Sequence, residues 1–536
     1  MTQPHKKRAP KQAYISNSQQ VLAGFESPFV QHLDPNNRWV VLAHYIPWDE
    51  ICNLYLRHVG VSDTGCPPIN PRIVIGSLMI KHLRNLDDRE TVQQISENVY
   101  MQYFIGYASF STAPPFDASL FVDFRKRLGI EQVNAINERI VELKTQLEEK
   151  SGKSDDKQPA PKDDSQNGGM DLPSGTTKQG EAQPLDASSA GHRGRVIYDA
   201  TACPQNIAYP TDLNLLSDAR EKSEELIDIL YKPDLHHKKP RTYRKNARKV
   251  YLNVAQKKTK GRKVLYNAIG KQLRFLRRNI KSINALLDKY DEFPLSAKEQ
   301  KYLLVITTLY QQQDQMHRSR TNKIEHRIVS IHQPHIRPIV RGKSQAKVEF
   351  GSKIHLSLIN GISFLDELSW DSFNEGSNML KYIEQYKQRF GCYPREVLAD
   401  KIYCTRENRK ALNELGIRLV AKPLGRPKAV PEHVRPGERN PIEGKFGQAK
   451  TAYGLDCIKA RLKETSETWI ACIILVLNLV KLAGAAAYTL VRKLGQRLAI
   501  LNWVMNTLLS SAYDINIASR KYSACNSSDP QRNLGR

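Results

Sequence analysis

Apolar residues recur every three or four positions between residues 38 and 149, which is the spacing of amphipathic helices. The first clear helix is marked by Ile73, Val74, Leu78, Met79 and Leu83. A second is marked by Val92, Ile95 and Val99, and a third by Leu120, Phe121 and Phe124. This part of the chain is therefore predicted to be helical throughout.

The breaks between these helices carry residue types that begin and end helices. Residues 85–88 and Asp117 supply N-cap side chains, and Gly129 is expected to end the third helix. Two helices joined by a short polar turn, with a third behind them, resemble a helix-turn-helix module. We predict that residues 37–150 form a helical DNA-binding domain. The alternative is a helical bundle used for contact between two copies of the chain.

From residue 194 the pattern changes to short apolar runs, which are typical of buried strands. Strands are predicted at Arg195–Thr201, Gln205–Tyr209, Lys347–Leu358 and Ile362–Trp370. The units that follow alternate: helix Gly376–Phe390, strand Arg395–Asp400, helix Thr405–Leu415 and strand Arg418–Lys422. That alternation predicts a mixed α/β sheet. Helices are predicted again at about 441–450 and 465–494.

Composition divides the rest of the chain. Residues 1–36 are polar and predict a flexible arm, and 151–193 hold almost no large apolar residue, which predicts a disordered linker. Residues 194–212 and 346–490 are expected to form one α/β domain. Residues 213–345 interrupt that domain as an insertion, and 491–536 are expected to be a C-terminal helix and tail.

Charge narrows the choice of partner. The 536-residue chain has 81 Lys and Arg against 55 Asp and Glu, a formal net charge of +26, which favours a polyanionic partner. The segment Lys232–Lys281 holds eighteen Lys and Arg and one acid, Asp234. Its predicted helix carries Arg274, Arg277, Arg278 and Lys281 on one face. Nearly uniform sign favours contact with phosphates over an ordinary solvated face.

Several classes of protein are disfavoured. The eight cysteines are scattered without a CxxC pair, which argues against a disulfide framework or a structural zinc site. His332-x-x-His335 lacks a cysteine pair at zinc-site spacing. The N-terminus has no apolar signal region, and the most apolar stretch, 469–480, is too short to cross a bilayer. We expect a cytoplasmic, nucleoid-associated protein with no membrane contact.

Three acidic residues are the candidate chemistry. Asp199 and Asp400 each end an apolar run, and side chains at strand ends project into clefts. Two aspartates brought close together repel each other unless a cation lies between them. Mg²⁺ binds such carboxylates, and two ions can stabilise both oxygens of an in-line displacement at phosphorus. With Glu443 as the third carboxylate, the chain is predicted to bind Mg²⁺, with Mn²⁺ as the alternative.

Each of these residues also has a structural explanation. Asp199 and Asp400 can serve as turn residues. Glu443 can complete a helix cap that starts at Asn440. Arg439 precedes that helix, and Lys450 lies seven residues after Glu443 on the same face, so the two basic residues are predicted to grip DNA phosphates. Solvated surface charge is the alternative for both.

Several stretches resemble bacterial insertion-sequence transposases of the DDE type, which have an RNase H-like catalytic domain. The clearest is Arg439-x3-Glu443-x6-Lys450, which matches the family signature Tyr-x2-Arg-x3-Glu-x6-Lys in three of four positions, with Pro436 in place of Tyr. The other stretches are Tyr198–Thr201, Tyr209–Asp212, Leu398–Tyr403, Arg341–Lys343, Glu349–Lys353, Phe116–Ser119 and Phe124–Arg127.

The resemblance implies an α/β fold: an RNase H-like mixed-sheet core with a helical N-terminal domain and a basic, mainly helical insertion. It implies a metal-dependent enzyme that binds terminal inverted repeats, cleaves DNA and performs strand transfer by two-metal catalysis. In that scheme Asp199, Asp400 and Glu443 hold the metals, and Arg439 and Lys450 contact the double-stranded DNA of the element ends and target. A homo-oligomer is expected, because two ends must be brought together.

Three alternatives remain from the sequence. The first is a structure-selective DNA nuclease or resolvase with the same fold but no strand transfer. The second is an inactive, domesticated transposase that only binds DNA. The third is a basic scaffold or RNA-binding protein, in which the three acids are coincidental.

Overall fold

The computed structural model describes residues 33–59, 69–152, 191–340, 348–421 and 437–481. The predicted arm, linker and tail lie almost wholly outside these ranges. So do Arg341-Gly342-Lys343 and Pro436. Within the described ranges, six cysteines are free thiols, and none of the helices there is long and apolar enough to cross a membrane.

The N-terminal part is helical, as predicted. Its helices are α1 (Arg38–Tyr45), α2 (Trp48–Val59), α3 (Pro71–Arg84), α4 (Asp88–Glu97), α5 (Val99–Phe104) and α6 (Leu120–Gly152). Asp87 caps α4 by accepting a hydrogen bond from the Glu90 backbone N–H at 2.8 Å. Gly129 has φ 61° and ψ 170° and breaks α6, so the predicted end is confirmed, but a further helical stretch follows it.

Six strands form one mixed sheet, which confirms the α/β class. They are β1 (Arg195–Pro204), β2 (Arg337–Val340), β3 (Val348–Ile359), β4 (Ile362–Ser369), β5 (Glu396–Leu398) and β6 (Arg418–Val420). β3 is antiparallel to β1 on one edge and to β2 and β4 on the other. Beyond β1 the sheet continues through the parallel strands β5 and β6.

The predicted strand at Gln205–Tyr209 is wrong. The ladder between β1 and β3 ends at Pro204, and only Gln205 makes a further bridge, to Ile458. The Asn206 backbone N–H donates to the Ile458 carbonyl at 3.0 Å, so the chain turns away from β3 there. The apolar residues that suggested a strand instead connect the sheet to the insertion.

Four helices form the insertion: α7 (Asp212–Leu230), α8 (Arg244–Ala255), α9 (Arg262–Leu287) and α10 (Ala297–Ser319). A separate apolar cluster holds it together and includes Leu216, Leu276 and Leu309. Ser296 and Glu299 form a capping box at the start of α10. The remaining helices are α11 (Met379–Phe390), α12 (Arg406–Glu414), α13 (Asn440–Tyr453) and α14 (463–481).

The N-terminal helices share a hydrophobic core with one side of the sheet. That core joins Phe121 of the N-terminal part to Leu356 of β3 and Ile473 of α14. Asn478 adds buried hydrogen bonds, since its side chain accepts from the Ser363 N–H at 2.8 Å and donates to Asn137 at 2.5 Å. Burial of so much apolar surface between them ties the N-terminal helices firmly to the sheet.

Candidate active site

Asp199 on β1 and Asp400 just after the end of β5 occupy equivalent positions relative to the pairing of these two parallel strands. Ile197 pairs with Leu398 at the end of the ladder between β1 and β5. Each aspartate comes two residues after one of these partners. Since side chains two residues apart point to the same face, Asp199 lies on the side of Ile197, which belongs to the core shared with α13. The strand register thus brings the two predicted aspartates together.

The prediction that Asp199 ends its strand is wrong, because β1 continues for five residues, to Pro204. Asp199 is nevertheless accessible because its parallel neighbour β5 is only three residues long and stops at Leu398. Asp400 does follow the end of its strand. Its Oδ1 accepts from the Lys401 backbone N–H at 2.7 Å and begins a 3₁₀ turn, Lys401–Tyr403.

Arg439 bridges the two aspartates. Its Nη2 lies 3.3 Å from Asp199 Oδ2, and its Nη1 lies 3.1 Å from Asp400 Oδ1. Burial raises the pKa of Asp199, while a hydrogen bond from the Ala200 N–H and the charge of Arg439 oppose that rise. The Asp199 side chain is 20% exposed and that of Asp400 59%. A cation between two carboxylates therefore already exists in this protein, supplied by a guanidinium.

Glu443 lies in the first turn of α13, one turn after Arg439, and its side chain is exposed. Side chains on a helix lean toward its N-terminus, so Glu443 leans toward the end of α13 that carries Arg439. Ile442 and Phe446 anchor α13 in the shared core. Lys450 is half-buried in the last turn, away from the aspartates.

The proposed cap at Asn440 is wrong. Arg439 occupies the N-cap position without a side-chain capping bond, and Asn440 is the first helical residue. Glu443 is therefore not explained by a capping box. The positive end of the α13 dipole lies where Arg439 meets the aspartates, and this end favours negative charge.

The three candidate acids, Asp199, Asp400 and Glu443, have the right chemistry for a hard divalent cation, since carboxylate oxygens are the ligands that Mg²⁺ prefers. The guanidinium between Asp199 and Asp400 stands in for such a cation. In the described part of the chain, however, no three His, Cys, Asp or Glu side chains are grouped closely enough to hold a metal ion as they stand. Glu443 must turn inward and Arg439 must withdraw before all three carboxylates can share an ion.

No sequence pattern predicted a fourth carboxylate near the site, that of Glu375. Besides burial, the charge of Glu375 contributes to raising the pKa of Asp199. Its Oε1 lies 2.5 Å from Lys353 Nζ on β3, and the same Nζ donates to the Phe373 carbonyl at 2.8 Å. Only the meeting of β3 with the turn before α11 brings Lys353 and Glu375 together.

That turn is fixed against the one that follows Asp400. A Cβ on Gly376 would lie 2.3 Å from the Ile402 carbonyl oxygen, so only glycine permits the approach. The Asn408 amide donates to the Gly376 carbonyl at 2.7 Å and to the Tyr403 carbonyl at 2.9 Å. Both turns therefore hold a rigid relation to Asp400.

Two basic residues at the predicted helix-turn-helix, Lys81 and Arg125, turn inward. Lys81 Nζ and Arg125 Nη2 each lie 2.9 Å from the Asp88 carboxylate, and both cations also lie over the Trp469 ring of α14. Burial lowers the pKa of Lys81 to about 8, although Asp88 opposes the change. The exposed residues of α4 include Glu90 and Glu97, whose charges disfavour contact with phosphate, and Arg89, whose charge favours it.

Neither histidine of the His332-x-x-His335 pair is arranged as a metal ligand. His332 Nδ1 lies 3.0 Å from the Tyr302 hydroxyl, and the His335 ring packs edge-on against Trp370 at 4.4 Å. These contacts with Tyr302 and Trp370 account for the positions of the two rings.

Two family comparisons match separate parts of the chain. Residues 27–127 match the family described as "Transposase domain (DUF772)". Residues 397–480 match the "Transposase DDE domain", a range that begins in β5 and includes Asp400, Arg439, Glu443 and Lys450. Both matches support the identification of an insertion-sequence transposase of the DDE type. Asp199 and the insertion of this transposase lie outside both matched ranges.

A further relative is the "Uncharacterized protein ORF8 in nfe locus" of Rhizobium meliloti. It is 28% identical to this transposase over 186 residues, which cover 34% of this chain and 69% of that protein. No solved structure matches the transposase.

Proposed function

We propose that this transposase binds the terminal inverted repeats of its element, cleaves DNA there and transfers the strands to target DNA. Asp199, Asp400 and Glu443 are the proposed metal ligands. The observation that carries the proposal is the equivalent placement of Asp199 and Asp400, both in contact with one guanidinium. Two carboxylates held together at the end of a sheet ladder suit a hard cation better than any structural purpose.

The proposed catalytic domain is RNase H-like. In support, an antiparallel set, β4-β3-β1, is extended on the β1 side by parallel strands β5 and β6. The strands that carry the two aspartates are adjacent in that sheet. α13 packs beneath them and brings Arg439 to the same edge, and we propose that Glu443, one turn further along α13, joins them there.

Bound Mg²⁺ or Mn²⁺ would supply electrostatic stabilisation of the attacking and leaving oxygens of the phosphodiester. The protein's own part begins with Asp199, whose partial burial disfavours its charge and whose charge Arg439 compensates in part. Arg439 then leaves the carboxylates, and its fork of N–H groups fits the oxygens of the scissile phosphate. Lys450, two helical turns beyond Glu443, contacts the backbone away from the cut.

The proposed partners are double-stranded element ends, target DNA and further copies of this chain. Joining two ends in one reaction requires at least two active sites held together. An enzyme of this kind works at the nucleoid, in the cytoplasm.

A cleavage assay on paired substrates tests the proposal. A linear duplex that carries the element's terminal repeats is incubated with the protein in Mg²⁺ or EDTA, beside the same duplex with scrambled ends. We expect metal-dependent cuts at the repeat boundary only, followed by joining to a target plasmid. Equal cutting of both substrates would indicate a structure-selective nuclease, and binding without cutting would indicate a domesticated DNA-binding protein.

A further inference from the structure

The insertion carries a basic surface that the proposed cleavage chemistry does not use. The chain has no Asp or Glu between Asp234 and Asp288, a stretch that spans α8 and α9. Acidic residues outside this stretch neutralise only part of its positive charge. Asp228 of α7 pairs with Lys239 at 2.7 Å and with Arg244 at 2.5 Å. Another base, Arg278, stacks over the Tyr243 ring at 4.2 Å.

Twelve exposed basic side chains lie in α8, in α9 and in the loop between them, and none of these twelve pairs with an acid in the described ranges. They define the basic surface: Lys245, Arg248, Lys249, Lys257, Lys258, Lys260, Arg262, Lys263, Lys271, Arg274, Arg277 and Lys281. Like charges at this density repel one another in the free protein. A bound polyanion removes that repulsion, whereas an ordinary solvated face would intersperse acids among the bases.

α9 presents its bases directly opposite its buried side. Gln272, Leu276 and Ile283 face the interior of the insertion. At 100° per residue, the opposite side carries Lys263, Arg274, Arg277 and Lys281. From Lys263 to Lys281 the helix rises about 27 Å, which matches roughly eight base pairs of duplex at 3.4 Å each.

Buried hydrogen bonds fix the helices that carry this surface. The Gln272 amide of α9 donates to the Ala247 carbonyl of α8 at 3.0 Å. The Asn279 amide of α9 donates to the Ser223 hydroxyl of α7 at 2.9 Å. The charges are therefore presented on a preorganised frame, so little entropy is lost when a ligand binds.

The exposed aromatic rings of the same region are already engaged in stacking. Tyr266 stacks on His317 at 4.0 Å with an interplanar angle of 11°, and Tyr243 packs against Arg278. Recognition of single strands depends on aromatic rings that are open to bases. The surface therefore suits the phosphates of a duplex.

We propose that the basic surface of α8 and α9 binds the phosphate backbone of duplex DNA without regard to base sequence. This inference rests on the proposed function and extends it. The insertion is assigned to holding DNA, while the carboxylates of Asp199, Asp400 and Glu443 act at another point on the same DNA. The insertion leaves the sheet from β1, the strand that carries Asp199, so the two parts are joined through a short connection.

The test compares wild type with two variants. For each protein, the salt dependence of binding to a fluorescent duplex that lacks the terminal repeats is measured. A variant with Lys263→Gln, Arg274→Gln, Arg277→Gln and Lys281→Gln removes four charges from α9. A matched control removes four exposed charges elsewhere: Lys298→Gln, Arg318→Gln, Lys323→Gln and Lys410→Gln. Each lost phosphate contact reduces the slope of log affinity against log salt by about 0.9, so we expect the first variant's slope to fall by roughly three to four.

The control is expected to keep the wild-type slope, and Arg274→Lys with Arg277→Lys should keep it too, because phosphate contact needs charge and not the guanidinium fork. An unchanged slope in the four-charge α9 variant, with circular dichroism like that of wild type, would overturn the proposal. Tighter binding of wild type to single-stranded DNA or to an RNA duplex of the same sequence would also overturn it.

Parallel cleavage assays separate this inference from the proposed function. If wild type cuts repeat-bearing ends but the α9 variant keeps its slope, only the role of the insertion is rejected. If the slope falls but wild type never cuts, the DNA-binding surface stands and the cleavage proposal fails.

Discussion

Asp199 and Asp400 share one counter-ion, the guanidinium of Arg439, although the two aspartates are two hundred residues apart in sequence. In a DDE transposase this arrangement has a consequence for metal binding. A metal ion that takes both carboxylates must first displace the guanidinium. Under the proposed function, Arg439 would compete with metal in the DNA-free protein and would be available to phosphate when metal is bound.

Replacing Arg439 by Ala should therefore strengthen the binding of Mn²⁺ to the DNA-free protein. A net hydrogen bond to a charged group contributes about 1.5–3 kcal/mol, so losing the competitor should tighten Mn²⁺ binding by roughly tenfold or more. Electron paramagnetic resonance of free Mn²⁺ measures this without any activity. Arg318→Ala, which removes a salt bridge with Asp314 in the insertion, is the control. Unchanged or weaker Mn²⁺ affinity in Arg439→Ala would mean that the guanidinium does not occupy the cation's place.

Neutralising a carboxylate should abolish cleavage but leave DNA binding intact. Asp199→Asn, Asp400→Asn and Glu443→Gln are each expected to lower the cleavage rate at least about a thousandfold, because metal stabilisation of the transition state is worth several kcal/mol. Single-turnover cleavage and fluorescence anisotropy measure the two properties. Glu414→Gln on the exposed side of α12 should behave as wild type. Normal cleavage by any one of the three variants would remove that residue from the site.

The Asn478 network should make the N-terminal helices and the sheet unfold together. Asn478→Ala leaves the Ser363 N–H and the Asn137 side chain without their buried partner. We expect the free energy of unfolding to fall by about 2–3 kcal/mol. Urea denaturation followed by both tryptophan fluorescence and circular dichroism measures the change, with exposed Asn253→Ala as the control. Separate transitions in the wild-type protein would contradict a shared core.

Mild acid should weaken the fold through His335. Burial, with smaller effects from Lys301, Lys463 and Arg337, lowers the pKa of His335 to about 4. The unfolded state takes up a proton near pH 6.5 and the folded state only near pH 4, so stability is complete above pH 6.5 and is lost as the pH falls toward 4. Since the ring is partly exposed, we expect about 1 kcal/mol between pH 7 and 5.

Urea unfolding of wild type and His335→Gln at pH 7 and pH 5 measures that contribution. The variant should lose less stability on acidification than wild type does. His237→Gln, at an exposed position, should retain the full wild-type loss. Identical pH dependence in wild type and His335→Gln would show that His335 takes up its proton equally in the folded and the unfolded protein, and so would contradict the prediction.

The sequence determined what depends on near neighbours. Asp87 begins its helix where the capping rules predict, and Gly129 interrupts α6. These features follow from hydrogen bonds and dihedral angles within a few residues, so local patterns predict them. The candidate acids were also found locally, because Asp199 and Asp400 each end an apolar run.

The tertiary structure alone decided how those residues meet. The register between β1 and β5 pairs residues two hundred positions apart, and no local period encodes such a pairing. Lys81 has the sequence context of a surface base, yet it is buried because Asp88 and the distant Trp469 compensate its charge. Arg439 likewise meets the two aspartates only because α13 packs under the sheet edge. Burial and charge pairing are properties of contacts between distant segments, so the fold has to form before they exist.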